Sequence, residues 1–253
     1  MLALIRVEYL KYKRAMTQKL IMLAPLFFIV IALPQSYFMP PGYAHSWGLV
    51  LGIVYNWWPV LFLPFGTALI AGLLVNQEKR AGGWRAALIH PLSPVHLWLG
   101  KIVVMGYQLL LATVILMGAA LVVGMITKAG PAPWRELLLG GMLLWATSLP
   151  LIPIQLWAAQ MLGFVGNMLV GTLGFFAGVS AAASSHWAYS PWSWPIRMMC
   201  PLIGVHPNGT LLAADDPLLN SGVIPLGLAL AAAVTLIVSI GGAIWFSRRG
   251  VLS

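Results

Sequence analysis

An all-α membrane protein is the fold class this sequence predicts, and three observations predict it. Of the 253 residues, 60% are hydrophobic and only 8% charged, whereas a soluble domain carries about 25% charged residues. Uncharged apolar runs of bilayer-spanning length, about 20 residues, recur along the whole chain. The 14 Lys and Arg residues sit at the ends of those runs. A net charge of +9 therefore reads as a membrane-orientation signal and not as a nucleic-acid surface. No stretch is left over for a soluble domain, so residues 1–253 are read as one transmembrane domain. Cys200 is the only cysteine, which excludes an intramolecular disulfide and a Cys-based metal cage.

In "MLALIRVEYLKYKRAM", Leu2, Ile5, Tyr9, Tyr12 and Met16 recur at helical spacing, with Arg6, Lys11, Lys13 and Arg14 off the stripe. The pattern predicts an amphipathic helix lying on the membrane surface. A signal peptide is disfavoured, because Pro25 interrupts the following apolar run and no small-x-small cleavage pattern appears. Six crossings are expected over residues 20–38, within 47–75, and over 102–126, 137–158, 162–184 and 223–246. None contains Asp, Glu, Lys, Arg or His. The uncharged run over 137–185 is too long for one crossing and is divided near Gln160 to Gly163, where a polar residue and a glycine permit a tight turn.

With the N-terminus inside, Arg6, Lys11, Lys13, Arg14, Lys19, Lys79, Arg80, Arg85, Lys101, Arg248 and Arg249 are cytoplasmic, and Lys128, Arg135 and Arg197 face out. That asymmetry follows the positive-inside rule and puts both termini in the cytoplasm. The outer segment before the sixth crossing carries Trp187, Tyr189, Trp192 and Trp194, the ring types that sit at headgroup level. Its apolar part, 196–205, is too short to span and holds Pro201, with Pro195 and Pro207 flanking it. A re-entrant or interfacial element is expected there. Asn208-Gly209-Thr210 matches a glycosylation sequon, but Asn-Gly is read as a turn. Asp215 and Asp216 read as a solvated outer loop.

Motifs of catalysis are missing or weak. No G-x-x-x-x-G-K-[ST] is present to cradle phosphates. Gly178-Val179-Ser180 resembles a nucleophile turn only loosely, and His45, His90, His96, His186 and His206 all lie outside the spans. Ser180 is read as a small residue at a helix contact. No pair of histidines shares a helical face with a carboxylate, so no metal site is expected. Ion-coupled carriers usually keep an ionisable group in the membrane; these spans keep none, so energy for transport is expected from a partner. Gly163, Gly166, Gly171, Gly174 and Gly178 recur through the fifth span, a spacing read as close packing within the chain in preference to a subunit interface.

The cytoplasmic stretch "NQEKRAGGWRAALIHPLSPVHLWLGK", residues 76–101, is more patterned than a topology signal needs. Gly82-Gly83 weakens the helix, a short piece with Trp84 and Leu88 on one face and Arg85 turned away can follow, and Pro91 stops it. Ser93 reads as an N-cap with Pro94 at the first helical position of the next crossing. The product is a short elbow below the membrane.

This pattern resembles the transmembrane subunits of type-2 ABC exporters, in which an amphipathic N-terminal helix precedes six crossings and a coupling helix between the second and third docks on the ATPase. Within them, "EYLKYKR", the 76–101 stretch and the outer "SPWSW" and "HPNG" are similar to the lantibiotic self-protection permeases. The resemblance implies a bacterial cytoplasmic-membrane complex of this chain with a second related permease, or a second copy of itself, and separate ATPase subunits that hold ATP and Mg. It implies no cofactor or catalytic residue in this chain. Glu78, Lys79, Arg80, Trp84, Arg85, Leu88, Ser93 and Pro94 would form the ATPase-coupling surface, and Trp187, Tyr189, Trp192 and Trp194 a substrate-exit segment. The cargo would be an amphiphilic antimicrobial peptide. Another amphiphile for the same machinery, such as a lipid, drug or polysaccharide precursor, remains an alternative, as do a membrane-integral enzyme and a non-transporting scaffold.

Overall fold

The computed structural model describes residues 5–6, 8–10, 16–38, 46–80 and 93–249. Among them the structure is helical, with α1 Met16–Phe38, α2 Trp47–Arg80, α3 Pro94–Ile126, α4 Trp134–Ser148, α5 Leu151–Ala182, α6 Ser193–Ile203 and α7 Val223–Arg249. Four helical stretches are long and apolar enough to cross a membrane: α2, α3, the Trp134–Ala182 run that joins α4 to α5, and α7. The core is formed where α2 packs on α5 and α1 on α3, with α4 and α7 closing around α6. Trp98, Leu116, Leu144, Leu151, Ile152 and Leu156 are fully enclosed there.

The 33 residues of α3 rise about 50 Å, well beyond the ~30 Å hydrocarbon layer. Its first two turns, up to Lys101, therefore extend past the apolar zone that the sequence placed at 102–126. α2 is continuous from end to end but carries one π-turn, Trp58–Phe62. Pro59 has no N–H and its ring crowds the preceding turn, so the ladder widens and the Leu63 amide donates to the Trp58 carbonyl. The rings of Trp58 and Phe62 stack across it, centroids 5.4 Å apart.

The division expected near 160–163 falls at Gly163, whose φ of 73° and ψ of −170° belong to a region that only glycine adopts without strain. The two arms of α5, 151–162 and 164–182, lie side by side. A Cβ on Gly171 would sit 3.5 Å from Gln155 Nε2, whereas 16 residues of straight helix would separate the two by about 24 Å. Gly163→Ala is expected to cost about 1–3 kcal/mol, read as a lowered melting temperature in detergent; an unchanged melt would remove the turn from the account.

Four rings are seated in notches left by glycines on neighbouring helices. A Cβ at Gly124 would overlap the Trp47 ring, one at Gly140 the Tyr55 ring, one at Gly242 the Trp98 ring, and one at Gly174 the Trp192 ring. Three of these rings donate to backbone carbonyls: Trp47 Nε1 to Gly130 at 3.1 Å, Tyr55 OH to Leu137 at 2.7 Å, and Trp98 Nε1 to Ser239 at 3.0 Å. Burial leaves such donors costly unless they are bonded. The G-x-x-x-G of Gly174 and Gly178 thus packs within the chain as expected, but against an aromatic ring and not a helix. The close helix approach is instead at Gly171, where a Cβ would stand 2.7 Å from that of Ala68, and Asn167 Nδ2 donates across it to the Ala68 carbonyl at 2.6 Å.

The described part of the N-terminal stripe makes contacts with the bundle. Ile5 and Tyr9 pack against the core, Tyr9 meets Tyr107 of α3 edge-on at 6.1 Å, and Glu8 is 2% exposed.

Candidate functional site

The charged end of the bundle is organised around Lys101. It is 5% exposed, on α3, and its ammonium group pairs with Glu78 on the last turn of α2 and with Glu8 at 3.5 Å. One cation therefore ties together the N-terminal helical segment, the end of the second helix and the start of the third. An ammonium in so dry a setting requires carboxylate partners. The same end holds the close of α7, because Phe246 lies 5.5 Å from Trp98.

The residues expected to couple to a partner divide into three groups. Glu78 is engaged by Lys101 within the chain and is 25% exposed. Lys79 and Arg80 are exposed. Pro94 opens α3 as expected, while Ser93 is extended in backbone but makes no side-chain cap; its carbonyl instead receives the Leu97 amide at 3.2 Å. Trp84, Arg85 and Leu88, with Gly82, Gly83 and Pro91, lie outside the described residues.

The aromatic segment at the opposite end differs from expectation. Only Tyr189 is a surface ring, 83% exposed, while Trp187 and Trp194 are 8% and 2% exposed. Trp194 Nε1 donates to the Ala188 carbonyl at 3.1 Å, and the backbone of Trp192 lies 3.0 Å from where a Gly178 Cβ would stand. The rings turn inward because those glycines leave room for Trp192 and because α6, lodged among α4, α5 and α7, carries Trp194 with it. α6 is too short to span, as expected, and accommodates Pro195 in its first turn and Pro201 in its last; Gly204 at φ 68° ends it. The Asn208-Gly209 turn forms, with Asn208 Oδ1 accepting from the Thr210 amide at 3.0 Å. Asp216 accepts from the Leu218 amide at 2.8 Å and caps a short turn. Arg197 is 4% exposed and donates to the Leu218 carbonyl at 2.8 Å. Ser180 is exposed and not at a helix contact.

Sequence reasoning passed over the uncharged polar residues of the spans. Gln108 and Gln155 are 1% and 0% exposed, and neither amide has a hydrogen-bond partner; Asn167 Oδ1 and Trp58 Nε1 are also unpartnered. Burying such a group costs about 1–3 kcal/mol, so these residues are the informative ones in an apolar helix. A glutamine isolated in an uncharged run was the available signal. Gln108 borders a cavity of about 370 Å³ between α1, α2, α3 and α5, lined otherwise by apolar side chains and Thr67.

A family model described as "ABC-2 family transporter protein" matches residues 4–178. No curated protein and no solved structure matches the chain.

Proposed function

The chain belongs to the ABC-2 transporter family, and on that premise we propose that it is the permease subunit of an ATP-driven exporter. Subunits of this family span the membrane and work with an ABC ATPase. The observation that carries the proposal is the family match together with the Lys101 cluster, which links the helices on either side of residues 81–92.

Six crossings are supported by the reversal at Gly163, which turns the four membrane-capable stretches, with α1, into an even set. Cytoplasmic placement of the Lys101 end is supported by Arg6, Lys19, Lys79, Arg80, Lys101 and Arg248 there, against Lys128, Arg135 and Arg197 at the other end. On this reading the elbow rests on the partner ATPase through Trp84 and Leu88, with Lys79, Arg80 and Arg85 meeting its acidic groups. ATP and Mg are held by the partner. A second permease, either related or identical, completes the pathway in the bacterial cytoplasmic membrane. The cargo is an amphiphilic peptide of the lantibiotic type, expelled for self-protection; the apolar lining of the bundle equally suits another amphiphile.

The test is co-purification of the tagged chain expressed with its genomic neighbours. An ATPase is expected to be recovered, and Trp84→Ala with Leu88→Ala should lose both its recovery and substrate-stimulated ATP hydrolysis, since truncating an interface anchor costs about 2 kcal/mol or more. Arg85→Glu should give a milder, salt-sensitive loss. Full recovery by the inserted double mutant would return the elbow to a topology signal.

A further inference from the structure

Between α1 and α2 the bundle is not closed. α1 leans on α3 and makes few contacts with the lower half of α2, and the space left between them is the cavity of about 370 Å³. Ile21, Trp58, Leu63, Met105 and Ala112 on its walls are buried, whereas Leu20, Leu61, Phe65 and Leu69 are half-buried and form the side that faces away from the core. Rings seal one end: Phe62 meets Phe27 at 5.4 Å and Phe28 at 5.5 Å. An apolar cavity of about 150 Å³ already holds benzene, and this one lies in the size range of small-molecule sites.

Two groups here are unsatisfied. Gln108, near the middle of α3, presents an amide with neither oxygen nor nitrogen bonded, and Trp58 keeps a free Nε1 at the π-turn. Thr67, the other polar residue of the lining, is committed to the Leu63 carbonyl at 2.7 Å. A π-turn is a departure from α geometry that frequently marks a functional position. Unpaired buried amides are rare enough to require a reason.

We propose that this cavity is a binding site for a single-chain amphiphile of the bilayer, with a hydrocarbon segment in the apolar pocket and one uncharged hydrogen-bonding group, an amide, hydroxyl or protonated carboxyl, on Gln108. The pocket offers the Gln108 amide, the Trp58 Nε1–H and no charge, so it rejects an ionised head, which would be desolvated without compensation. A bilayer amphiphile is the occupant because the half-buried side of the cavity opens between two membrane helices, where hydrocarbon is the neighbouring medium. The site stands apart from the exporter reading, since it is tested on this chain alone.

Gly66 supplies the blocking variant. It lines the cavity, and a Cβ there meets nothing within 4 Å, so Gly66→Leu puts a side chain into the space from an unobstructed Cβ and improves helix propensity. The full chain is placed in lipid nanodiscs and titrated with a terminally brominated decanamide, bromine quenching tryptophan on contact. The chain has 12 Trp residues, so the Trp58 signal is taken as the difference between the parent and Trp58→Phe. Saturable Trp58 quenching is expected. Gln108→Leu should weaken amide binding about tenfold while leaving bromodecane binding unchanged, and Gly66→Leu should abolish both at an undiminished melting temperature. Quenching that never saturates, equal amide affinity in Gln108→Leu, or full quenching in folded Gly66→Leu would each overturn the site. Displacement of the probe by an apolar peptide but not by 1-decanol would overturn the lipid assignment.

Discussion

Lys101→Met is expected to lower stability by about 3 kcal/mol, because removing one member of a buried ion pair takes away part of the compensation for the charges it meets. Glu8 at 2% exposure and Glu78 on α2 would both lose their lysine, whereas methionine keeps the length of the stem. Lys79→Met, at an exposed position one residue from Glu78, should change stability by no more than about 0.5 kcal/mol. Thermal unfolding of the two purified variants in the same detergent measures the contrast. Neutralising both carboxylates, as Glu8→Gln and Glu78→Gln added to Lys101→Met, should restore much of the loss. Equal melting of the Lys79 and Lys101 variants, or no rescue by the triple variant, would remove the cluster as the joint between the elbow's flanking helices.

Trp194→Ala is expected to cost about 3–5 kcal/mol, the range for emptying a large aromatic site in a packed core. Its ring is 2% exposed and its Nε1 is bonded, so truncation removes both packing and a hydrogen bond. Tyr189→Ala, whose ring is 83% exposed, should leave stability within about 0.5 kcal/mol. The two therefore ask different questions. Loss of export in a Trp192→Ala, Trp194→Ala double variant reports a damaged fold, while Tyr189→Ala probes whether the outer surface touches cargo. Equal abundance and melting of Trp194→Ala and the parent would contradict the buried position.

Much of the helical plan was legible because bilayer length and charge-free composition act on long segments. The turn at Gly163 fell inside the stretch chosen from one polar residue and one glycine, and the starts of α3 at Pro94 and of α7 at Val223 follow proline and turn chemistry. The direction in which rings face was not legible. A tryptophan cluster signals an amphipathic ring but not where the ring points, and here the answer lies in Gly174 and Gly178, contributed by another helix. Lys101 looked like one more terminal charge because Glu8 is 93 positions away in sequence and only the fold brings the two to 3.5 Å. Gln108 was not legible as a site because it carries no charge, and a lone amide in an apolar run has no periodic partner to announce it.

The reversal at Gly163 also bears on how the protein is made. Between Arg135 and Arg197 the chain has no Lys or Arg, so the turn offers the insertion machinery no charge by which to choose a side. The two arms of α5 cannot be oriented one after the other by their own sequence. On the six-crossing reading they would enter the bilayer as a single hairpin, its direction inherited from neighbours already in place, and a lysine added beside Gly163 would give that hairpin a topological signal it now lacks.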